Sequence, residues 1–282
     1  LEATSGDFNA AVEWLRVKGL SSAAKKADRV AAEGAVTAQI SGNTGVILEV
    51  NSETDFVARN DGFKNLVADL TQHVLNSNAT GNIIEQPFHN NSGKTVGDIL
   101  KEAIATIGEN IVIRRSEKYV GTPSTLVHTY VHGEGKIGVM IEVAANEAGA
   151  KNAELKTFAQ DVALHIAAMN PMAISSEQIP ADVVAKEREI LAAKSLESGK
   201  KPEMIEKIVD GQIRKFLAEN CLMDQPFVKN PDIKVSDLAK TVGKTVGADV
   251  TVKRFVRFEL GAGIEKKVTD FAAEVAEQMK GH

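Results

Sequence analysis

The chain has 282 residues, 43% hydrophobic and 25% charged, with 33 basic against 38 acidic side chains and a net charge of −5. This composition excludes disorder and collagen-like repetition, predicts about two domains, and gives no electrostatic reason for nucleic acid or an anionic membrane as main partner. One cysteine, Cys221, makes neither an internal disulfide nor a zinc cluster, and without a long apolar run or a signal-like start the expected location is cytoplasmic.

In chain order, Asp7 to Lys18 carry Phe8, Val12 and Leu15 on one helical face and read as the last helix of a small bundle. A start without Met inside that pattern predicts that upstream residues have been removed, and with them any organelle-targeting segment. Val36 to Ile40 and Val46 to Val50 then alternate as two strands around a Ser41 to Gly45 turn. A polar run, Asn51 to Glu53, leads to Thr54 or Asp55 as a helix cap, with Phe56 in the first turn. Two readings of Phe56 stay open: a staple packed on its own helix, or an exposed wedge for a partner's pocket. The helical pattern Phe63, Leu66, Val67, Leu70, Val74 follows, then a second helix through Asp98 and Ile99 to Gly108, and a strand over Ile111 to Arg115.

The same order then recurs, with strands Leu126 to Val131 and Ile137 to Val143 and a helix carrying Leu155, Phe158, Val162 and Ile166. Asp237, Leu238, Gly247 and the strand Val250 to Arg254 repeat the later parts. Gly45 to Gly138 is an offset of 93 and Gly108 to Gly247 one of 139, so the second copy has gained about 46 residues between its helices. From Pro180 to Phe216 the gain reads as two charged helices, one marked by Val183, Val184, Ile190 and Leu191, the other by Ile205, Ile208, Val209, Ile213 and Phe216. Gly199 to Pro202 is the turn of this projecting antiparallel hairpin, which is expected to bury its stripe against itself or another molecule. Thr269 to Met279 read as a short amphipathic helix with Phe271, Val275 and Met279 every fourth residue. The fold class is α+β, a duplicated αβ core with an inserted antiparallel helical hairpin (coiled coil) and short helical modules at both ends. The expected divisions are residues 1–30, 31–122, 123–262 with the hairpin at about 180–225, and 263–282.

Catalytic motifs find little support. Gly133 to Gly138 satisfies G-x-G-x-x-G, but it joins two antiparallel strands and opens no helix onto a pyrophosphate. Gly93-Lys94-Thr95 and Gly243-Lys244-Thr245 lack the earlier glycine of a phosphate loop, with Phe88 and Leu238 in its place. His128 and His132 share a strand face without further ligands nearby, and read as a solvent-exposed face ending in a hairpin rather than a metal site. No catalytic residues, metal or cofactor are expected.

Thr54-Asp55-Phe56-Val57-Ala58, after the strand Gly45 to Asn51, resembles the signature of the translation elongation factor Ts family. Ala23 to Ala27, Ile107 to Ile111, Tyr130 to Gly133, His165 to Ala168, Gln225 to Val228, Gly263 to Lys266 and Thr269 to Ala276 resemble family segments in family order, so the likeness spans essentially the whole chain. It implies a guanine-nucleotide exchange factor for the GTPase elongation factor Tu, with no covalent chemistry and no cofactor. Thr54, Asp55, Phe56 and Val57 are implied to meet the GTPase domain, Phe56 entering between two helices to disturb the magnesium and phosphate contacts of GDP. Ile107 and Gly108 are implied to support that face, and His132, Gly133, Val228 and Phe271 to make other partner contacts. Lys229 stands where the best-known members carry an apolar residue, and the family's N-terminal helical (UBA-like) module is represented only by its tail. Beside elongation factor Tu, a homodimer or 2:2 complex through the hairpin is an expected assembly, and the alternative function is a non-catalytic scaffolding or self-association protein that retains the core but is weakened in exchange by loss of its N-terminal module.

Overall fold

The computed structural model describes residues 2–77, 82–199 and 201–265, and the helical pattern of Thr269 to Met279, with Phe271, lies outside them. Helix α1 (Phe8–Lys26) is capped by Asp7, whose Oδ1 accepts from the Ala10 N–H at 2.9 Å. It runs past the expected end at Lys18, because good helix formers such as Ala23 and Ala24 continue it without an apolar period. Phe8, Val12 and Leu15 are exposed; the helix docks through small residues, with Gly19 so close to Ala105 that an added Cβ would come within 2.9 Å of its Cβ.

Next come β1 (Glu33–Ser41), β2 (Thr44–Ser52), α2 (Asp55–Arg59), α3 (Asp61–Asn76), the short strands β3 (Pro87–Phe88) and β4 (Asn91–Thr95), α4 (Val96–Ile107) and β5 (Ile111–Val120). Strands β1 and β2 pair to Ser41–Thr44, so the turn is only Gly42–Asn43, tighter than the five residues expected. The second series is β6 (Thr125–His132), β7 (Ile137–Ala144), α5 (Glu147–Ala150), α6 (Ala153–Met169), α7 (Ala181–Glu197), α8 (Pro202–Asn220), β8 (Pro226–Phe227), β9 (Asn230–Lys234), α9 (Val235–Val246) and β10 (Thr251–Glu259). Two antiparallel three-stranded sheets result, β1-β2-β5 and β10-β7-β6, in an α+β fold.

One face of β2 (Val46, Leu48, Val50) packs on Phe63, Leu66, Val67, Leu70 and Val74 of α3. The matching face of β7 (Val139, Ile141, Val143) packs on Leu155, Phe158, Val162 and Ile166 of α6. The opposite faces meet each other, Ile47 and Met140 among Val36, Val127, Tyr119 and Phe258. Strand β2 is therefore buried on both faces, more fully than an alternating strand requires. Each fully buried large apolar side chain stabilises this arrangement by about 1.5–3 kcal/mol.

Both sheets bulge at the same place, β5 slipping by one residue at Arg114 and β10 at Lys253. Beside each bulge a carboxylate is buried. Glu142 accepts from Arg254 Nε at 2.6 Å, whereas Glu49 accepts from Arg115 Nε at 2.6 Å, Arg114 at 3.0 Å and the Gly261 N–H at 2.8 Å. Burial by itself raises the Glu49 pKa, but these hydrogen bonds outweigh it and hold the carboxyl below its ordinary value. Burial pushes the Tyr119 phenol up to about 12, although the Arg254 guanidinium lies over its ring at 3.9 Å. At the tip of the first hairpin, Asn43 Nδ2 donates to the carbonyls of Thr122 and Thr125, and its Oδ1 accepts from the Val127 N–H.

Helices α7 and α8 lie against each other, tied by Arg188–Asp210 at 2.7 Å. Val209 and Ile213 are buried, and Val183, Val184 and Leu217 pack on Ala173, Ile179 and Cys221 at the base. Ile190, expected in the buried stripe, is partly exposed. No helix among the described residues is long and apolar enough to cross a membrane.

Candidate partner-binding site

The connection from β2 to α2 is a short, heavily bonded turn. Ser52 Oγ donates to the Thr54 carbonyl at 3.0 Å, and Thr54, not Asp55, is the cap, accepting from the Val57 N–H at 3.4 Å. Val57 is half-buried against the α3 core and anchors the turn from below. Phe56 points the other way and is 79% exposed, so the staple reading is overturned: the ring finds no apolar partner on its own helix. Asp55 is exposed beside it and pairs with Arg59 at 3.2 Å, a surface contact of small energy.

This turn is fastened to the one after α4. Ile107 closes that helix, half-buried on the same core, and Gly108 ends it in the left-handed region at φ 91°, where a side chain would be strained. The next two residues make the contact. Glu109 Oε2 accepts from the Thr54 N–H at 3.0 Å and its Oε1 from the Thr54 hydroxyl at 2.7 Å. In return, Glu53 Oε1 accepts from the Asn110 N–H at 2.6 Å, while the buried Asn110 side chain donates to the carbonyls of Ala27 and Arg29 behind α1. The structure thus brings Thr54–Val57 and Ile107–Gly108 together through Glu109 and Asn110, two residues that sequence reasoning did not assign a role. Their only signal was position in the segment Ile107 to Ile111, since 55 residues separate Glu109 from Thr54.

The tip of the β6–β7 hairpin lies close by. Gly135, at φ 92°, sits so near β1 that its Cβ would come within 3.0 Å of the Val36 carbonyl, and its own carbonyl accepts from the Val36 N–H at 2.8 Å. A cleft of about 370 Å³ between this tip and α2 is lined by Asp55, Arg59, Lys64, Gly133 and Lys136. His132 is exposed at the strand end, its Nδ1 3.0 Å from the Tyr130 hydroxyl. His128 is not on an open face as expected: α6 covers it, and burial, helped by Lys156, lowers its pKa.

Val228 does not line that cleft. It follows β8, is 36% exposed, and its N–H donates to His165 Nδ1 at 3.1 Å, while Lys229 pairs with Asp161 of α6 at 2.6 Å. His165 is fully buried, with Nε2 2.8 Å from Gln225 Oε1, so the ring is neutral with its proton on Nε2; burial lowers its pKa. The other half has the same device. His73 Nδ1 accepts from the His89 N–H at 3.2 Å, and its Nε2 lies 3.1 Å from Gln86 Oε1. The repeat Gln86-Pro87-Phe88 and Gln225-Pro226-Phe227, at the offset of 139, was the overlooked sequence signal. Among the described residues no group of three or more His, Cys, Asp or Glu side chains is gathered to hold a metal ion.

A family model described as Elongation factor TS matches residues 53–262, a span that opens at the turn holding Phe56. The chain is 76% identical over 283 residues to "Elongation factor Ts" of Bdellovibrio bacteriovorus, covering 100% of this chain and 92% of that protein. It is 45% identical over 281 residues to the protein of that name from Trichlorobacter lovleyi (98% of this chain, 90% of that protein) and 46% over 287 residues to that of Brucella anthropi (100% and 92%).

Proposed function

The chain belongs to the elongation factor Ts family, a translation elongation factor of protein biosynthesis, and from that premise we propose that it binds elongation factor Tu·GDP and promotes release of GDP. The observation that carries the reading is Phe56: a large apolar ring held out to solvent on a turn whose backbone is fixed from both sides. Exposing such a ring has a cost in water, and rigid presentation lowers the entropy lost when a pocket takes it. Phe56 enters beside the nucleotide site, with Asp55 and Gly108 on the same face. His132, Gly133, Val228 and Phe271 supply affinity elsewhere on the GTPase.

Exchange needs no covalent step. A factor that binds the nucleotide-free GTPase more tightly than the GDP form weakens GDP by the same coupling free energy. A thousandfold weakening needs about 4 kcal/mol, and burying one Phe contributes about 1.5–3 kcal/mol, so the other contacts must stabilise the open state as well. On this reading the two like halves are a duplicated core, over residues 31–122 and 123–262, flanked by helical modules at 1–30 and 263–282. The α7–α8 pair is a coiled coil that associates with a second copy, a role supported by exposed Leu196 and Met204 near its tip. The site of action is the cytoplasm.

The test is release of fluorescent GDP from elongation factor Tu with and without this chain, beside Phe56→Ala. Acceleration that largely disappears in the variant supports the wedge. Undiminished acceleration assigns exchange to another surface, and none from the unaltered chain overturns the reading.

A further inference from the structure

We infer that Glu109 is the positioning residue for Phe56: its carboxylate orients the Thr54 hydroxyl and backbone so that the wedge is presented in one direction, an inference that rests on the exchange reading above. A hydroxyl has one proton to donate and lone pairs to accept with. The Thr54 proton goes to Glu109 Oε1 at 2.7 Å, which leaves a lone pair turned toward the Val57 N–H and makes the hydroxyl a helix cap. The other oxygen, Oε2, takes the Thr54 N–H at 3.0 Å, fixing the peptide two residues before Phe56. Both are charge-assisted bonds, stronger than neutral ones.

The second half of the molecule supplies an internal control. There Asn146 caps α5, its Oδ1 accepting from the Gly149 N–H at 2.7 Å, and its Nδ2 is held only by a long neutral contact, 3.5 Å to the Gly247 carbonyl, with no carboxylate. Counted from the cap, Ala148 stands where Phe56 does, and at the offset of 139 Ala248 stands where Glu109 does. The aromatic and the carboxylate are missing together. Other polar pairs of the scaffold, such as Glu49 with Arg115 and Glu142 with Arg254, are kept in both halves. A carboxylate needed only to build the turn would be needed twice.

The experiment is a double-mutant cycle on GDP release, with the maximal rate at saturating factor and the half-saturating concentration measured separately. Glu109→Ala is expected to lower the maximal rate by about tenfold, the scale of one charge-assisted hydrogen bond, and to move half-saturation by less than about twofold. Glu109→Gln, which keeps one acceptor oxygen, should recover part of the rate. In a Phe56→Ala background Glu109→Ala should cost nothing further, because its effect acts through the ring. Additive losses, a loss confined to half-saturation, or no loss at all overturn the inference while leaving the wedge standing. No effect of Phe56→Ala itself removes the wedge, and with it this inference, and no acceleration by the unaltered chain removes the exchange reading first. Should Glu109→Ala fail to fold, seen as a lost thermal transition, Thr54→Val removes the same hydrogen bond at nearly constant volume and is read by the same criteria.

Discussion

Strands β2 and β7 are both central, both buried on two faces, and both followed at once by a capped helical turn. What rides on the turn differs: Phe56 and its Glu109 brace in the first half, Ala148 and Ala248 in the second. Beneath them the halves agree, with a buried His–Gln pair under each short β-hairpin and a buried carboxylate beside each bulge. Features present twice are what the packing requires, and features present once are where the surface has been put to use.

The largest expected effect tests the shared scaffold at its most loaded point. Glu49→Ala removes the acceptor for two arginines and the Gly261 N–H, and should lower unfolding free energy by about 3 kcal/mol, because breaking a buried pair leaves charge uncompensated. Its counterpart Glu142→Ala, facing a half-exposed Arg254, should cost about 1 kcal/mol. Equal losses for both in urea titration would mean that the Arg114 and Gly261 contacts add nothing.

Phe56→Ala comes next. By the scale of one buried ring it should slow maximal GDP release about tenfold to a hundredfold, while its unfolding free energy from urea titration changes by less than about 0.5 kcal/mol, since the ring is already in water. A large stability loss would return Phe56 to the scaffold.

Smaller, and common to both halves, is a pH effect from the two buried imidazoles. Burial lowers the pKa of His73 and His165 from the ordinary 6.5, so on acidification the unfolded chain takes up protons before the folded one. Their stabilisation is complete above pH 6.5 and declines as pH falls below that value toward the folded-state pKa values. Glu49, whose folded pKa is lowered, adds a separate loss on the acid side of its ordinary 4.5. A stability curve flat from pH 7.5 to 5.5 would show that the rings titrate normally. The smallest expected effect is none: Ala148→Phe, an aromatic on the turn that has no carboxylate brace, should leave GDP release unchanged, and any gain would make the Glu109 brace dispensable.

Sequence legibility divides along similar lines. Strands, helices and the hairpin were readable because apolar spacing and the glycines at 108, 199 and 247 are local signals. The exposure of Phe56 was not, because a staple and a wedge share one sequence pattern and differ only in whether a partner side chain lies within reach. Glu109 was hidden by the 55 residues between it and Thr54, and the outward turn of Phe8, Val12 and Leu15 by the fact that α1 packs through small residues that carry no periodic signal. Only the Gln-Pro-Phe repeat was in plain view and passed over.

Asn43 gives the molecule a kinetic property as well as a contact. Its side chain at the tip of the first hairpin reaches Thr122, Thr125 and Val127, and its carbonyl accepts from the Gly121 N–H, across sequence separations of about 80 residues. Loop closure over such a span is entropically costly and comes late in folding. The Val127 amide is thereby a reporter of whole-molecule opening: its hydrogen exchange should track global unfolding rather than local fraying. A GTPase pulling on one half would then meet the resistance of both.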